Sequence, residues 1–316
     1  MLKIAIIDSG IDLNYKHFAN SNGISVKEER GRIVLSDDIN DSSGHGTACF
    51  SIIRRLGPEA EYYHIKVFQD RLRTKERVLI EAILAAIDNA PQIINVSLGI
   101  LTERAKEQDS LHQVCMQAFD KGIIIVSASQ NKNLSSYPAL FSEVLTTIPG
   151  ICKQQNGFHY CPTKWYITNS GPQVVDWLDN TRLVSGGTSF AAARLTATIA
   201  RFMNNTGLKS AREVIKAFNN QSELCNCGDT CPRFVNLDAS SRLMNLKTHS
   251  REAEKLRRLI LNSFDKRFIS DGHLILDPYS ASTLVSLLSK LTDNDLYDLS
   301  LLEFTDINHL AKAIGG

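Results

Sequence analysis

The sequence has almost no net charge: of its 316 residues, 35 are Lys or Arg and 34 are Asp or Glu, which leaves +1. Proteins that bind polyanions need a surplus of clustered basic side chains, so this balance argues against a nucleic-acid-binding protein. The chain also lacks an uncharged apolar run of the roughly 18 residues that a membrane span requires. We therefore expect neither nucleic acid nor a membrane among its partners.

A secretory signal is also absent from the first residues. The segment MLKIAIIDSGID carries one lysine, and its apolar run ends at Asp8, too early for the hydrophobic part of a signal peptide. The seven cysteines are an odd number in a long chain, so a complete disulfide framework is a poor interpretation. Both features favour a cytoplasmic location, which we take as the expectation.

Apolar runs and helical patterns alternate along the first half of the chain, without internal repeats. Short β-rich runs predict buried strands, and apolar residues at three- and four-residue spacing predict helices between them. Such alternation is typical of βαβ units and predicts an α/β fold with a mostly parallel sheet, whose functional groups gather at the carboxyl ends of the strands. The predicted strands are LKIAIIDSG at the start, 61–68, 93–99 and 122–129, and the predicted helices are 74–89 and 103–121.

The last part of the chain has a different pattern. From about residue 250 the sequence consists of amphipathic helical segments without a comparable β-rich run. We therefore predict an α/β domain over residues 1–247 and a small all-α domain over residues 248–316. The helical domain is a candidate surface for a protein partner.

Three polar residues stand where strands or glycine-bounded loops end: Asp8, His45 and Ser189. A serine hydroxyl is a weak nucleophile unless a base takes its proton, and an imidazole is suited to that role near neutral pH. A buried carboxylate can fix the tautomer of the imidazole, and a helix N-terminus favours negative charge near the serine. Taken singly, each residue could be an ordinary turn, loop or N-cap residue. Their joint occurrence favours a catalytic triad.

The segments that carry these residues resemble the motifs of the subtilisin-like (S8) serine peptidases. The matching segments are IAIIDSGID at 4–12, SGHGTACFSII at 43–53 and SGGTSFAAA at 185–193. The resemblance implies a subtilisin-like α/β fold in which Asp8 orients the imidazole, His45 acts as general base and then acid, and Ser189 is the nucleophile. It covers about residues 1–245.

The segment INVSLG at 94–99 resembles the family strand that pairs with the extended substrate. The resemblance implies that Ser97, Leu98 and Gly99 bind substrate. In that mode of recognition, main-chain hydrogen bonds supply affinity, and the substrate adds a strand to the protein. The expected partner is therefore a peptide or protein substrate.

The segment IIIVSASQN at 123–131 is similar to the family strand that ends in the oxyanion asparagine, which implies Asn131 as the oxyanion donor. Two departures accompany the match. Gln130 stands where the family usually has glycine, which makes Asn133 a weaker alternative donor. After the nucleophile, Ala193-Arg194 replaces the usual Pro-His.

These features together predict a hydrolase, namely a serine endopeptidase that processes a precursor or leader peptide inside the cell. Two alternatives remain open at this point. One is a non-catalytic peptide-binding or carrier-type scaffold that retains the fold. The other is a peptide ligase or macrocyclase that resolves the same acyl-enzyme with an amine.

The remaining cysteines and the tail allow several interpretations. Cys225, Cys227 and Cys231 could hold a structural zinc ion together with residues of the loop GICKQQNGFHYC at 150–161; a disulfide is an alternative, and free thiols are the favoured interpretation. No other cofactor is expected. The tail is similar to the second half of acyl or peptidyl carrier domains, which makes Ser280 a candidate for phosphopantetheinylation. A plain helical cap on the α/β domain is the alternative, and the helical spacing of Leu and Ile favours it.

Overall fold

The computed structural model describes the chain in segments. These are residues 1–15, 18–69, 72–129, 136–150, 158–161, 165–169, 173–221, 223–224, 242–264, 269–270, 273–276, 284–285, 287–288, 291 and 306–315. Two compact units are present: the first comprises residues 1–170, 177–180 and 187–235, and the second comprises 171–176, 181–186 and 236–316.

Strands and helices follow one another along both units, and through the first unit they alternate as the sequence predicts. The strands are β1 (Leu2–Asp8), β2 (Asn22–Glu29), β3 (Arg32–Ser36), β4 (Ala60–Lys66), β5 (Ile93–Val96), β6 (Ile100–Leu101), β7 (Ile124–Ala128), β8 (Ser136–Tyr137), β9 (Val144–Gly150), β10 (Phe158–Cys161), β11 (Trp165–Asn169), β12 (Gln173–Trp177), β13 (Thr181–Ser185), β14 (Glu223–Leu224), β15 (Arg242–Asn245), β16 (Ile269–Ser270) and β17 (His273–Leu276). The helices are α1 (His45–Leu56), α2 (Glu76–Asp88), α3 (Gln108–Asp120), α4 (Thr188–Thr206), α5 (Ala211–Gln221), α6 (Arg251–Ser263) and α7 (Ile307–Gly315).

A ten-stranded sheet forms the centre of the first unit, in the order β14-β10-β11-β9-β7-β5-β1-β4-β2-β3. The seven strands from β11 to β2 in that order run parallel to one another, which confirms the predicted mostly parallel sheet. Strands β3 and β10 are antiparallel to their neighbours β2 and β11. Because β1, β5 and β7 are adjacent and parallel, the residues that follow them meet at one edge of the sheet.

Alternating side chains of the sheet face helices on opposite sides. In β5, Ile94 and Val96 belong to the apolar core formed with α2 and α3. The intervening Asn95 is fully buried on the other face, where its Oδ1 accepts a hydrogen bond of 2.9 Å from Thr196 of α4. The central strand is therefore covered on both sides, and all four of its residues are buried.

The second unit corrects the prediction of an all-α tail. Its strands β15, β17 and β16 form a three-stranded antiparallel sheet, and α6 and α7 contribute apolar side chains to the core of the same unit. Met244 of β15 and Leu274 of β17 are both fully buried there. The segment HLIL, with three apolar residues, is too short for its pattern to separate a strand from a helix, and its partner β15 precedes the boundary predicted at 247/248.

Helix α6 begins where the sequence indicates. Ser250 is its N-cap, and its hydroxyl accepts a hydrogen bond of 3.0 Å from the Ala253 amide. A serine at this position satisfies one of the amides that the first helical turn leaves unbonded. Across the described segments, no helix combines the length and the apolar content needed to cross a bilayer.

Candidate active site

Asp8 and His45 meet at the carboxyl edge of the sheet. Asp8 is the last residue of β1, and His45 is the first residue of α1. The Nδ1 atom of His45 lies 2.7 Å from Oδ1 of Asp8, which also accepts a 2.7 Å hydrogen bond from the Ser9 amide. The Asp8 side chain is only 1% exposed, whereas that of His45 is 15% exposed. A buried carboxylate therefore fixes one ring nitrogen, and the ring retains some access to solvent.

Glycines allow α1 to begin at His45 in close contact with its surroundings. Gly44 has a φ of 80°, and a Cβ there would collide with the indole of Trp177. A Cβ on Gly46 would collide with the carbonyl oxygen of Gly10 in the turn after β1. The two glycines of the Gly-His-Gly segment thus permit a close approach that brings His45 to Asp8.

The carboxylate of Asp41 organises the loop before His45. Its Oδ1 accepts hydrogen bonds of 2.9 Å from the amides of Ser43 and Gly44, and its Oδ2 accepts from the amide and the hydroxyl of Thr47 at 3.0 and 2.8 Å. Burial acts against the charged carboxylate, but these donors outweigh it, and the pKa of Asp41 is lowered. Asp41 therefore remains ionised and ties the first turn of α1 to the preceding loop.

The electrostatics of this pair favour protonation of the imidazole. Burial lowers the pKa of His45, but the adjacent Asp8 carboxylate, with a smaller contribution from Asp41, more than offsets that effect, so the pKa is raised. The same carboxylates stabilise the imidazolium that forms when His45 takes a proton. This arrangement is what a general base needs during nucleophilic attack.

Ser189 lies in the first turn of α4, which begins after Gly187 with a φ of 141°. Its hydroxyl donates a 3.1 Å hydrogen bond to the carbonyl of Ser97, the residue that follows β5. The ring of the next residue, Phe190, lies 5.7 Å from the ring of His45, measured between centroids. Helices α1 and α4 thus bring the imidazole and the hydroxyl to the same edge of the sheet.

A cavity of about 820 Å³ connects these groups. His45 and Ser189 line it together with the extended segment Ser97, Leu98 and Gly99. The residues that the sequence assigns to substrate binding therefore share one cavity with the base and the hydroxyl. Within the described residues, the site combines a buried carboxylate, an imidazole and a helix-terminal hydroxyl, the chemistry of nucleophilic acyl transfer.

The family comparison agrees with this geometry. A model of the Subtilase family (peptidase S8) matches residues 1–223, well over half of the chain. The chain belongs to the Subtilase family. The match ends before the tail, and the predicted likeness of the tail to carrier domains is not supported.

Individual members of the family are distant relatives of this Subtilase chain. Minor extracellular protease Epr of Bacillus subtilis (strain 168) is 28% identical over 156 residues, which are 46% of this chain and 22% of that protein. Subtilisin E of the same strain is 28% identical over 159 residues, 46% of this chain and 39% of that protein. The chain thus spans less than half the length of these curated relatives.

Solved structures share the fold at lower identity. The prenylagaramide maturation protease PagA superposes with a TM-score of 0.57 at 19% identity, covering 73% of this chain and 86% of that chain. The nisin leader peptidase NisP of Lactococcus lactis gives 0.57 at 17% identity, covering 71% and 83%. A cold-adapted subtilisin-like serine proteinase gives 0.57 at 16% identity, covering 70% and 81%. These likenesses confirm the subtilisin-like α/β fold.

The departure from the family motif after Ser189 leaves the helix intact. Ala193 and Arg194 are both buried within α4, which continues without interruption to Thr206. The carbonyl of Arg194 accepts a 2.8 Å hydrogen bond from the hydroxyl of Thr198. Replacement of the usual Pro-His therefore does not shorten the helix that presents Ser189.

Cys49, in the second turn of α1, lies beside the Asp8–His45 pair. Its thiol is fully buried, but the sulfur, a carboxylate oxygen of Asp8 and a ring nitrogen of His45 lie within 4.8 Å of one another. Burial, and then the Asp8 charge, raise the pKa of the Cys49 thiol well above its ordinary value. A neutral thiol is a poor metal ligand, so we assign no metal to this group. The four-residue spacing from His45 is the signal that could have revealed this proximity.

Several predicted positions lie outside the described residues: Asn131, with Gln130 and Asn133 beside it; Cys225, Cys227 and Cys231; and Ser280. Their assignments stay predictions from the sequence. Within the described part of the chain, Cys49 and Cys115 are free thiols, and both are buried.

Proposed function

We propose that this chain is a serine endopeptidase that cleaves peptide bonds through an acyl-enzyme. The observation that carries the proposal is that His45, bonded to the buried Asp8, and Ser189 share one cavity, which Ser97 and Gly99 also line. Membership of the Subtilase family supports it. A non-catalytic scaffold has no requirement for a buried carboxylate bonded to the imidazole beside an accessible hydroxyl.

Acylation begins when Oγ of Ser189 attacks the carbonyl carbon of the scissile peptide bond. Nε2 of His45 takes the hydroxyl proton, while Nδ1 remains bonded to Asp8. The Ser189 hydroxyl first exchanges its hydrogen bond to the Ser97 carbonyl for one to His45. Such tightening on substrate binding is common, because catalytic hydrogen bonds are often longer in ligand-free proteins.

The tetrahedral oxyanion is stabilised by donors at the N-terminus of α4. The Ser189 amide lies in the first helical turn, where amides have no intrahelical acceptor, and the helix dipole adds positive potential there. The sequence predicts Asn131 as a second donor. Protonated His45 then gives its proton to the leaving amine, and a water molecule deprotonated by His45 hydrolyses the ester and releases Ser189.

For the substrate, we propose a precursor or leader peptide. Structural neighbours named for this task support the choice: NisP is a leader peptidase, EpiP of Staphylococcus aureus is an epidermin leader peptide processing protease, and PagA is a maturation protease. Their identity to this chain is 19% or less, so they show the fold, and the substrate class rests on analogy. A cytoplasmic location and a protein partner for the second unit stay predictions from the sequence.

Labelling with a fluorophosphonate probe tests the proposed activity. We expect wild-type protein to react at Ser189 and to cleave peptides, and Ser189→Ala to do neither while keeping the wild-type melting temperature. If folded wild-type protein neither labels nor cleaves, the scaffold interpretation is correct.

Mass spectrometry of the products separates hydrolysis from ligation. A peptidase releases a fragment that carries a free carboxylate and has gained one water. A ligase or macrocyclase yields a product in which a peptide amine has replaced that water. We expect the hydrolysis product even when an acceptor amine is present.

A further inference from the structure

The cavity that holds Ser189 also contains a buried acidic residue with no role in the triad. Glu76 is the first residue of α2, lines the same cavity and is only 8% exposed. Charged side chains are almost never this well buried unless they are paired. The buried Glu76 carboxylate therefore needs hydrogen-bond donors or a cation as partners.

The carboxylate of Glu76 is only half satisfied. Its Oε2 accepts hydrogen bonds of 2.7 and 2.8 Å from the amides of Lys106 and Glu107, just before α3 begins. Its Oε1 is buried and receives no hydrogen bond from any other part of the chain that the structure describes. A buried carboxylate oxygen without a donor is unfavourable, and a cationic donor supplied by a ligand would remove the penalty.

The position of Glu76 along the cavity sets which part of a substrate could reach it. Ser97, whose carbonyl accepts the Ser189 hydroxyl, marks the level of the scissile bond. The segment continues through β6 (Ile100–Leu101), and Leu101 also lines the cavity. At roughly 3.3 Å per extended residue, the end of β6 lies about 13 Å from Ser97. The Ala105 amide donates to the Leu101 carbonyl, and the next two amides, those of Lys106 and Glu107, donate to Glu76. Glu76 therefore lies near the end of β6, where a substrate paired with this segment would place a residue three to five positions from the cleaved bond.

The other charged residues along this part of the cavity do not neutralise Glu76. The ammonium of Lys75 lies 2.8 Å from the Glu28 carboxylate, and a guanidinium nitrogen of Arg77 donates to the carbonyl of Gly31 at 3.3 Å. Arg73 and Lys106 also line the cavity, but both are exposed, where water screens their charges. Among the described charged residues of the lining, Glu76 is the buried one.

We propose that Glu76 determines specificity by receiving a basic side chain, Arg or Lys, of the substrate residue three to five positions from the scissile bond. The inference rests on the proposed peptidase function and names a feature of its substrates. Oε1 would accept the guanidinium or ammonium donor while Oε2 keeps its backbone donors. A neutral side chain at this substrate position leaves the oxygen without a donor.

Internally quenched peptides that differ at one position provide the test. For each position on both sides of the scissile bond, one peptide carries Arg and a matched peptide carries Gln. The value of kcat/KM is measured for each peptide. For wild-type enzyme we expect Arg to exceed Gln by about tenfold or more at a position three to five residues away, the scale of one charge-assisted hydrogen bond.

Two variants separate recognition from structural support. Glu76→Gln keeps an acceptor oxygen for the amides of Lys106 and Glu107 but removes the charge, and we expect the Arg preference to fall to about twofold or less. Glu107→Gln makes the same charge change at an exposed residue of the same cavity and should keep the wild-type preference. Melting temperatures show whether either variant is misfolded, and the wild-type peptide scan does not depend on them.

The outcomes distinguish this inference from the function on which it rests. An enzyme that labels at Ser189 and cleaves peptides without an Arg preference overturns the role of Glu76 and leaves the peptidase proposal standing. If Glu76→Gln keeps the Arg preference, the role of Glu76 is likewise overturned and the peptidase proposal still stands. An unreactive wild-type protein overturns both proposals.

Discussion

The Nδ1 atom of His45 lies 2.7 Å from Oδ1 of Asp8, across 37 residues of sequence. The contact joins the end of β1 to the start of α1 and leaves the other ring nitrogen of His45 for the hydroxyl or the leaving group. Because Asp8 is nearly inaccessible to solvent, its charge acts on the imidazole with little screening. The pair therefore sets both the orientation and the basicity of the proposed general base.

Replacement of Asp8 by asparagine removes this control. Under the proposed function, we expect Asp8→Asn to lower kcat by roughly 10³- to 10⁴-fold, since the amide favours the wrong imidazole tautomer. In the residual activity, the acid limb of the kcat/KM profile should move to lower pH than in wild type, because the carboxylate that raises the pKa of His45 is gone. The pH profile of kcat/KM checks the direction, and a shift to higher pH would contradict the electrostatic role.

Asp41 should affect stability and pH dependence separately. Asp41→Ala leaves buried amides of Gly44 and Thr47 without an acceptor, and we expect the free energy of unfolding to fall by roughly 2 kcal/mol. Asp41→Asn retains one acceptor oxygen and should cost less. Both variants remove a negative charge near His45, so the acid limb of kcat/KM should move to lower pH. Denaturant unfolding and the pH profile give the two readouts, and a purely structural role would leave the profile unchanged.

Gly44 and Gly31 form a matched pair for testing close packing before α1. Their φ angles are 80° and 78°, but a Cβ at Gly44 would collide with Trp177, whereas nothing lies within 4 Å at Gly31. Gly31→Ala should cost about 1 kcal/mol, the strain of a left-handed backbone. Gly44→Ala should cost about 2 kcal/mol more, because the indole must move. If urea denaturation shows equal losses of unfolding free energy for the two variants, packing against Trp177 does not contribute to stability.

His64 should make the protein sensitive to mild acid. It is buried beside Phe50, no described group bonds to either ring nitrogen, and burial lowers its pKa from 6.5 to about 4. Since the unfolded chain takes up the proton first, stability should be fully present above pH 6.5 and should fall as the pH decreases towards 4. The loss over that interval is roughly 3 kcal/mol for this group.

Comparison with His64→Leu isolates this contribution. The variant lacks the titrating ring but keeps the other acidic and basic groups, including His45, whose raised pKa acts in the opposite direction. We expect the free energy of unfolding of the variant to depend less steeply on pH between 6.5 and 4. Parallel pH dependence of the two proteins would exclude His64 as the source of acid sensitivity.

Much of the site could be predicted because its signals are local. The strand before Asp8 and the glycines around His45 and Ser189 lie within a few residues of the groups that they position. Parallel strands then bring these ends together as a consequence of topology, without any contact having to be predicted. The same local reasoning was wrong in the tail, where the short segment 273–276 forms a strand through pairing with 242–245 and 269–270.

The amino-acid order alone determines the family and the parallel sheet and singles out Asp8, His45 and Ser189 as the candidate triad, since each depends on short segments and their succession. Only the tertiary structure decides which buried groups share an environment. It places Cys49 beside Asp8, surrounds Asp41 with donors, and leaves one oxygen of Glu76 without a partner on the cavity that holds Ser189. Burial and charge proximity depend on elements far apart in the chain, so no local pattern encodes them.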